Sequence, residues 1–208
     1  MTHFLPLFHK YRRRTASGRV FHTVEKKFPH GGKIGLALLL AACAVPAAAF
    51  PADWFAEPRH RLNVSIGSAE IFDSDPEFCW GIEYVPAWRF FHVAPWICAE
   101  TGKNNEFYSS VGILLEVNLT HGWVLLPSFG GGYYSANNGL DLGFDVQFRS
   151  SLALEREFGR GHRLGISFTH ISNGSLSDIN PGTEILAAAY SLPLDLVFDW
   201  FRRPGGAS

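Results

Sequence analysis

Arg163-Leu164-Gly165-Ile166-Ser167-Phe168-Thr169-His170-Ile171-Ser172 repeats with a period of two. Successive side chains of a strand point to opposite faces. One face therefore carries Leu164, Ile166, Phe168, His170 and Ser172, and the other Arg163, Gly165, Ser167, Thr169 and Ile171. After an eleven-residue polar connection containing Gly and Pro, a second run opens at Glu184. It continues on one parity through Leu186, Ala188, Tyr190, Leu192, Leu194, Leu196 and Phe198. A His, a Ser and a Glu thus sit on otherwise apolar faces, at the strand ends that share a connection. A nucleophile, a base and an acid that orients the base are the parts of a hydrolytic triad, which is recognised by roles and geometry rather than chain order.

The same period recurs upstream. Leu140, Leu142, Phe144, Val146 and Phe148 alternate with Asp141, Gly143, Asp145, Gln147 and Arg149. Val111, Ile113, Leu115, Val117 and Leu119 alternate with Ser110, Gly112, Glu116 and Asn118, Leu114 being the exception. Eight such segments fall near 60–72, 78–91, 93–101, 107–119, 122–134, 140–157, 162–172 and 184–198. The helical period is hard to find. Eight alternating strands fit a water-soluble cup that is apolar inside, or an outer-membrane barrel that is polar inside and apolar outside. The polar faces favour the second. Asp145, Gln147, Arg149, Glu155, Glu116, Arg163 and Asp195 mix both signs and large size with glycines, which suits a closed, ion-paired lumen. Aromatics bunch at segment ends, as Trp88, Phe90, Phe91 and Trp96 and as Phe198, Trp200 and Phe201, in the manner of interface girdles. The expected fold is all-β, an eight-stranded antiparallel transmembrane β-barrel of the outer membrane.

The amino terminus fits that destination. Arg12, Arg13, Arg14, Lys26, Lys27 and Lys33 precede the apolar run Ile34 to Val45, and Ala47-Ala48-Ala49 follows as an A-x-A-type cleavage site. Residues 1–49 read as a signal peptide with an extended basic region, which suggests a translation start nearer Val24. The rival reading takes Leu40-Ala41-Ala42-Cys43 as a lipoprotein signal. The barrel is expected over 50–201, and Arg202-Arg203-Pro204-Gly205-Gly206-Ala207-Ser208 as a flexible tail. Cys79 and Cys98 remain in an oxidising compartment at a spacing that fits neither a metal knuckle nor an obvious cross-strand disulfide. Lys+Arg 18 against Asp+Glu 19, with much of the positive charge in the signal, gives no support to a nucleic-acid partner.

An even-stranded outer-membrane barrel keeps both termini in the periplasm, so odd strands run outward. His170, Ser172 and Glu184 then lie at the external end and face lipid, where the outer leaflet offers lipopolysaccharide. The residues also carry a resemblance. His170-Ile171-Ser172-Asn173, followed by Asn180 and Glu184, resembles the active-site segment of the lipid A 3-O-deacylase family, the PagL-type outer-membrane enzymes. The His-x-Ser-Asn order and the twelve-residue offset from Ser to Glu both match. The resemblance implies Ser172 as nucleophile, His170 as general base and Glu184 as the residue that orients the His. It implies hydrolysis of the ester-linked 3-hydroxyacyl chain at position 3 of lipid A, with no metal or organic cofactor. Oxyanion donors are expected from the Asn173 and Asn180 amides and from the Gly174-Ser175 backbone. One departure is that the family's Gly two residues after this Asn is here Ser175, with Gly174 before it.

The remaining polar residues have plainer readings. His60, His92, His121 and His162 fall at strand ends or turns and are expected to be solvated. Asp73, Asp75 and Glu77 form an acidic external loop that could hold divalent cations but reads more simply as a solvated loop. The alternatives to the enzyme are a non-enzymatic outer-membrane barrel of the adhesin or membrane-stabilising type, and a soluble lipocalin-like carrier. A homodimer is left open.

Overall fold

The structure, a computed structural model, describes residues 54–73, 75–195 and 197. The expected signal segment, the 202–208 tail and the aromatics Phe198, Trp200 and Phe201 lie outside the described residues. Period-two patterning becomes nine strands: β1 Arg61–Ala69, β2 Glu77–Val85, β3 Val93–Gly102, β4 Phe107–Leu115, β5 Val117–Asn118, β6 Trp123–Ser135, β7 Val146–Phe158, β8 His162–Ser172 and β9 Thr183–Pro193. All neighbours are antiparallel, and the β1–β9 and β4–β6 pairings close the sheet into a ring. β4 and β5 both pair with β6 and form one stave interrupted at Glu116, so the barrel has eight staves. Closure satisfies the backbone of every stave without an exposed edge, the condition for a sheet to cross a bilayer.

Burial shows which face looks out. On β8, Leu164, Ile166 and Phe168 are exposed while Arg163 and Thr169 are buried. The same division gives exposed Val64 and Ile66 on β1, Phe78, Trp80 and Ile82 on β2, and Leu186 and Tyr190 on β9. Apolar residues are outside and charged residues inside, which rules out the lipocalin-like cup and gives the outer-membrane arrangement.

The lumen is filled in layers. At the end where β1 begins and β9 stops, Glu116 meets three guanidinium groups: Arg163 at 2.6 Å, Arg61 at 3.9 Å and Arg89, which reaches in from the β2–β3 turn. Glu157 joins Arg163 at 3.0 Å and Arg61 at 3.5 Å. At mid-height Arg149 pairs with Glu83 at 3.3 Å and Glu100 at 3.7 Å and lies 4.9 Å above the Trp96 ring. That ring lies against Gly112 and Gly130, where an added Cβ would come within 2.4 and 2.6 Å of it. The far end is closed by an apolar cluster that includes Tyr108, Tyr134, Leu140, Leu142, Ile171 and Ile185.

Four expectations change. Leu140 and Leu142 do not face lipid. They belong to the β6–β7 loop, which folds into the far mouth, where Tyr134 donates from its hydroxyl to Leu140 O at 2.7 Å; Asp145, expected in the lumen, is exposed beside it. The second segment stops at Val85, leaving Trp88, Phe90 and Phe91 on a turn, each more than 70% exposed. The last segment stops at Pro193, and Leu194–Asp195 begin a helical turn. Cys79 stands opposite Gly102 and Cys98 opposite Glu83; both thiols are free.

Removing one partner of a buried ion cluster leaves uncompensated charge, so Glu116→Ala should destabilise the barrel by about 3–5 kcal/mol. Urea titration followed by the mobility difference between heated and unheated protein on gels measures this. An unchanged midpoint would mean that Glu116 does not hold the cluster.

Candidate active site

His170 and Glu184 are direct partners in the β8–β9 register. Cross-strand partners hold their Cβ atoms about 4.5–5.5 Å apart, close enough for the side chains to bond. His170 Nδ1 lies 3.1 Å from Glu184 Oε1. An ionised carboxylate only accepts, so a hydrogen bond between them is donated by Nδ1–H. The two side chains are 29% and 13% exposed, so the pair is sheltered yet reachable from outside the barrel. The Glu184 backbone is anchored across the seam of the ring, where Ile71 N–H donates to Glu184 O at 3.3 Å.

Ser172 lies one pleat further along the same face of β8 and is 8% exposed. Its partner on β7 is Phe148, which stacks on Phe129 with ring centroids 6.2 Å apart. Gly182 closes the other side. Its φ is +66°, and an added Cβ would lie 3.1 Å from His170 Cε1, 3.3 Å from Ile171 O and 3.7 Å from Ser172 Cβ. Any larger residue there would press on the imidazole from a strained backbone. Gly182 escaped the sequence reading; the Pro181-Gly182 pair ahead of a strand was its only signal.

The connection between β8 and β9 is built around Asn173, which is fully buried. Asn173 Nδ2 donates to Leu142 O at 3.0 Å and to Ile179 O at 2.7 Å, while Oδ1 accepts from Ser175 N–H at 2.9 Å. Asn173 N–H donates to Asn180 Oδ1 at 3.0 Å. Gly174 and Ser175 turn the chain in the left-handed region, at φ of +63° and +71°. These bonds show which of the loop's polar groups are already engaged. The Asn173 amide and the Ser175 N–H are spent on holding the loop and on tying it to the β6–β7 loop. Asn180 accepts through Oδ1, so its orientation is fixed with Nδ2 left to donate.

The other singled-out residues lie elsewhere. His60 Nδ1 is 2.8 Å from the Tyr84 hydroxyl and His162 Nδ1 2.7 Å from that of Tyr190, and His92 stacks on Phe55 at 4.0 Å. Three of the four histidines expected to be solvated therefore have side-chain partners, and His121 is exposed. Glu77 turns into the barrel and accepts from Asn104, and of the other two Asp73 is half-buried and Asp75 exposed. Among the described residues no group of three or more His, Cys, Asp or Glu is placed to hold a metal ion.

The family model of lipid A 3-O-deacylase (PagL) matches residues 80–193, over half of the chain and spanning the whole candidate site. The chain belongs to the lipid A 3-O-deacylase family. This deacylase is therefore a carboxylic ester hydrolase of the outer membrane that acts on lipid A, and the non-enzymatic barrel is set aside. The fold is similar to the crystal structure of the outer membrane enzyme PagL, with a TM-score of 0.54 at 13% identity, covering 64% of this chain and 99% of that one. A de novo designed transmembrane β-barrel has a TM-score of 0.46 at 11% identity, over 66% of this chain and 99% of the design. Neisserial surface protein A has a TM-score of 0.42 at 10% identity, over 64% and 95%. No curated protein matches the deacylase in sequence.

Gly182→Val should keep the barrel folded, as judged by heat-shifted gel mobility, yet lower lipid A deacylation by about ten- to a hundredfold, because the added methyl groups press on the His170 ring of the candidate site and shifts of a fraction of an ångström to 1 Å have that scale of effect. Activity equal to the wild type would show that the ring tolerates the added methyl groups. Asn173→Ala should expose the 173–182 connection to limited proteolysis while the strands remain protected, and a loop as resistant as in the wild type would remove Asn173 as its anchor.

Proposed function

We propose that the deacylase cleaves the ester-linked 3-hydroxyacyl chain at position 3 of lipid A with Ser172 as nucleophile, His170 as general base and Glu184 as the residue that orients the base. The observation that carries this reading is the 3.1 Å His170–Glu184 hydrogen bond on the outer face, one pleat from Ser172. A hydroxyl, an imidazole and a carboxylate on a lipid-facing wall are costly unless they serve the lipid. With the chain termini on the periplasmic side, the site lies at the external end of the barrel, level with the outer leaflet.

In this mechanism Ser172 Oγ attacks the ester carbonyl carbon as His170 Nε2 takes its proton. Glu184 keeps the imidazole in the required tautomer and stabilises the imidazolium. The tetrahedral intermediate collapses, the bond to the sugar oxygen breaks, and His170 returns the proton to that oxygen. Water, deprotonated by His170, then attacks the acyl-serine, the released Oγ regains its proton, and the fatty acid leaves. The oxyanion is received by Asn180 Nδ2 and the Gly174 N–H, the expected donors that the loop's own bonds leave over. Each such donor lowers the barrier by about 3–4 kcal/mol in comparable hydrolases.

Mass spectrometry of lipid A from cells expressing each variant tests the reading. Ser172→Ala and His170→Ala should each reduce deacylation by at least about a thousandfold, and Glu184→Ala by about a hundred- to ten-thousandfold. Loss of the acyl chain at the wild-type rate with Ser172→Ala would refute the nucleophile. Asn180→Asp keeps the acceptor for Asn173 N–H but removes the donor, so it should cost about a hundred- to a thousandfold in kcat with the 173–182 connection still protease-resistant. Wild-type kcat in this variant would take Asn180 out of the oxyanion site.

A further inference from the structure

Ser150 breaks the apolar pattern of the barrel wall. On β7 the outward positions before and after it are Phe148, Leu152 and Leu154, and its own neighbours Arg149 and Ser151 point into the lumen. Its register partners are His170 on β8 and Phe129 on β6. Ser150 is only half-buried, and among the described residues no hydrogen bond uses its hydroxyl. Lipid tails provide no partner for a hydroxyl, so an open one at this position is unfavourable unless something that binds there satisfies it. Ser128 and Thr169, also hydroxyl-bearing and close by in the sheet, are buried on the lumen side and show no such placement.

We propose that Ser150 is a substrate-positioning residue that hydrogen-bonds the 3-hydroxyl of the acyl chain under attack, and so makes the deacylase prefer hydroxylated over plain acyl esters. The proposal rests on the triad reading above. Direct partners have Cβ atoms about 4.5–5.5 Å apart and diagonal ones about 7–8 Å, which puts Ser150 beside His170 and diagonal to Ser172. A carbonyl carbon on Ser172 Oγ carries its 3-hydroxyl two carbons along the chain. That reach spans the gap from the nucleophile to Ser150, along the flank formed by Phe148 and Phe129. Ser150 takes no part in proton transfer.

The test compares two purified substrates in detergent micelles, lipid A bearing a 3-hydroxyacyl ester at position 3 and a synthetic analogue bearing the unsubstituted acyl ester of equal length. A partly exposed hydrogen bond corresponds to about three- to tenfold in a rate ratio. The wild type should favour the hydroxylated substrate in kcat/KM by that factor. Ser150→Ala should bring the ratio of the two kcat/KM values close to one, and Ser150→Thr, which keeps a hydroxyl, should restore the preference. An unaltered ratio in a folded Ser150→Ala protein, or an equal loss on both substrates, would overturn the proposal. Ser172→Ala run on both substrates separates the two levels. Inactivity on both upholds the triad whatever Ser150 does, whereas full activity on both removes the triad and this proposal with it.

Discussion

A peptide group in hydrocarbon has no water to bond to, and from that constraint the rest of this molecule follows. Strands can cross the bilayer only if the sheet closes, which it does through the β1–β9 and β4–β6 pairings. Closure fixes an inside and an outside, and the two-residue period then assigns every side chain to one or the other. The inside must dispose of its charges, and it does so in the Glu116 and Arg149 clusters. On the proposed reading lipid A is met on the outer wall. Placing the reactive residues there needs only that three residues of outward parity be polar instead of apolar.

The register does the positioning that loops do in many hydrolases. His170 and Glu184 face each other because the β8–β9 ladder pairs them, and the ladder continues with Thr169 opposite Ile185 and Phe168 opposite Leu186. An imidazole held by consecutive backbone pairings has little freedom to swing. The 173–182 connection is different, since it is a loop and needs Asn173 to bind it to two neighbouring carbonyls. Rigid strand chemistry and a braced loop meet at Ser172, the last residue of β8.

How far the sequence could be read depended on the kind of constraint acting at each position. Parity in Leu164 to Ser172 and in Glu184 to Tyr190 is imposed by lipid, and both the fold and the outward placement of His170 and Glu184 were legible from it. Leu140 and Leu142 show its limit. A loop folded into an apolar mouth and a strand facing lipid can display the same spacing, and only the contact with Tyr134 separates them. The bonds of Asn173 were likewise invisible, because their acceptors, Leu142 O and Ile179 O, are backbone atoms that any residue type would supply. Gly182 left only a turn signal, since its importance lies in the side chain it lacks.

The bond from Ile71 N–H to Glu184 O joins the first and last staves of the ring beside the His170–Glu184 pair. A chain in which β1 has not yet met β9 lacks this tether, and its Glu184 is held from one side only. Completion of the site thus coincides with the final zipping of the barrel. On the proposed reading of the site, a barrel still open between β1 and β9 would hold the His170–Glu184 pair less firmly than the closed one.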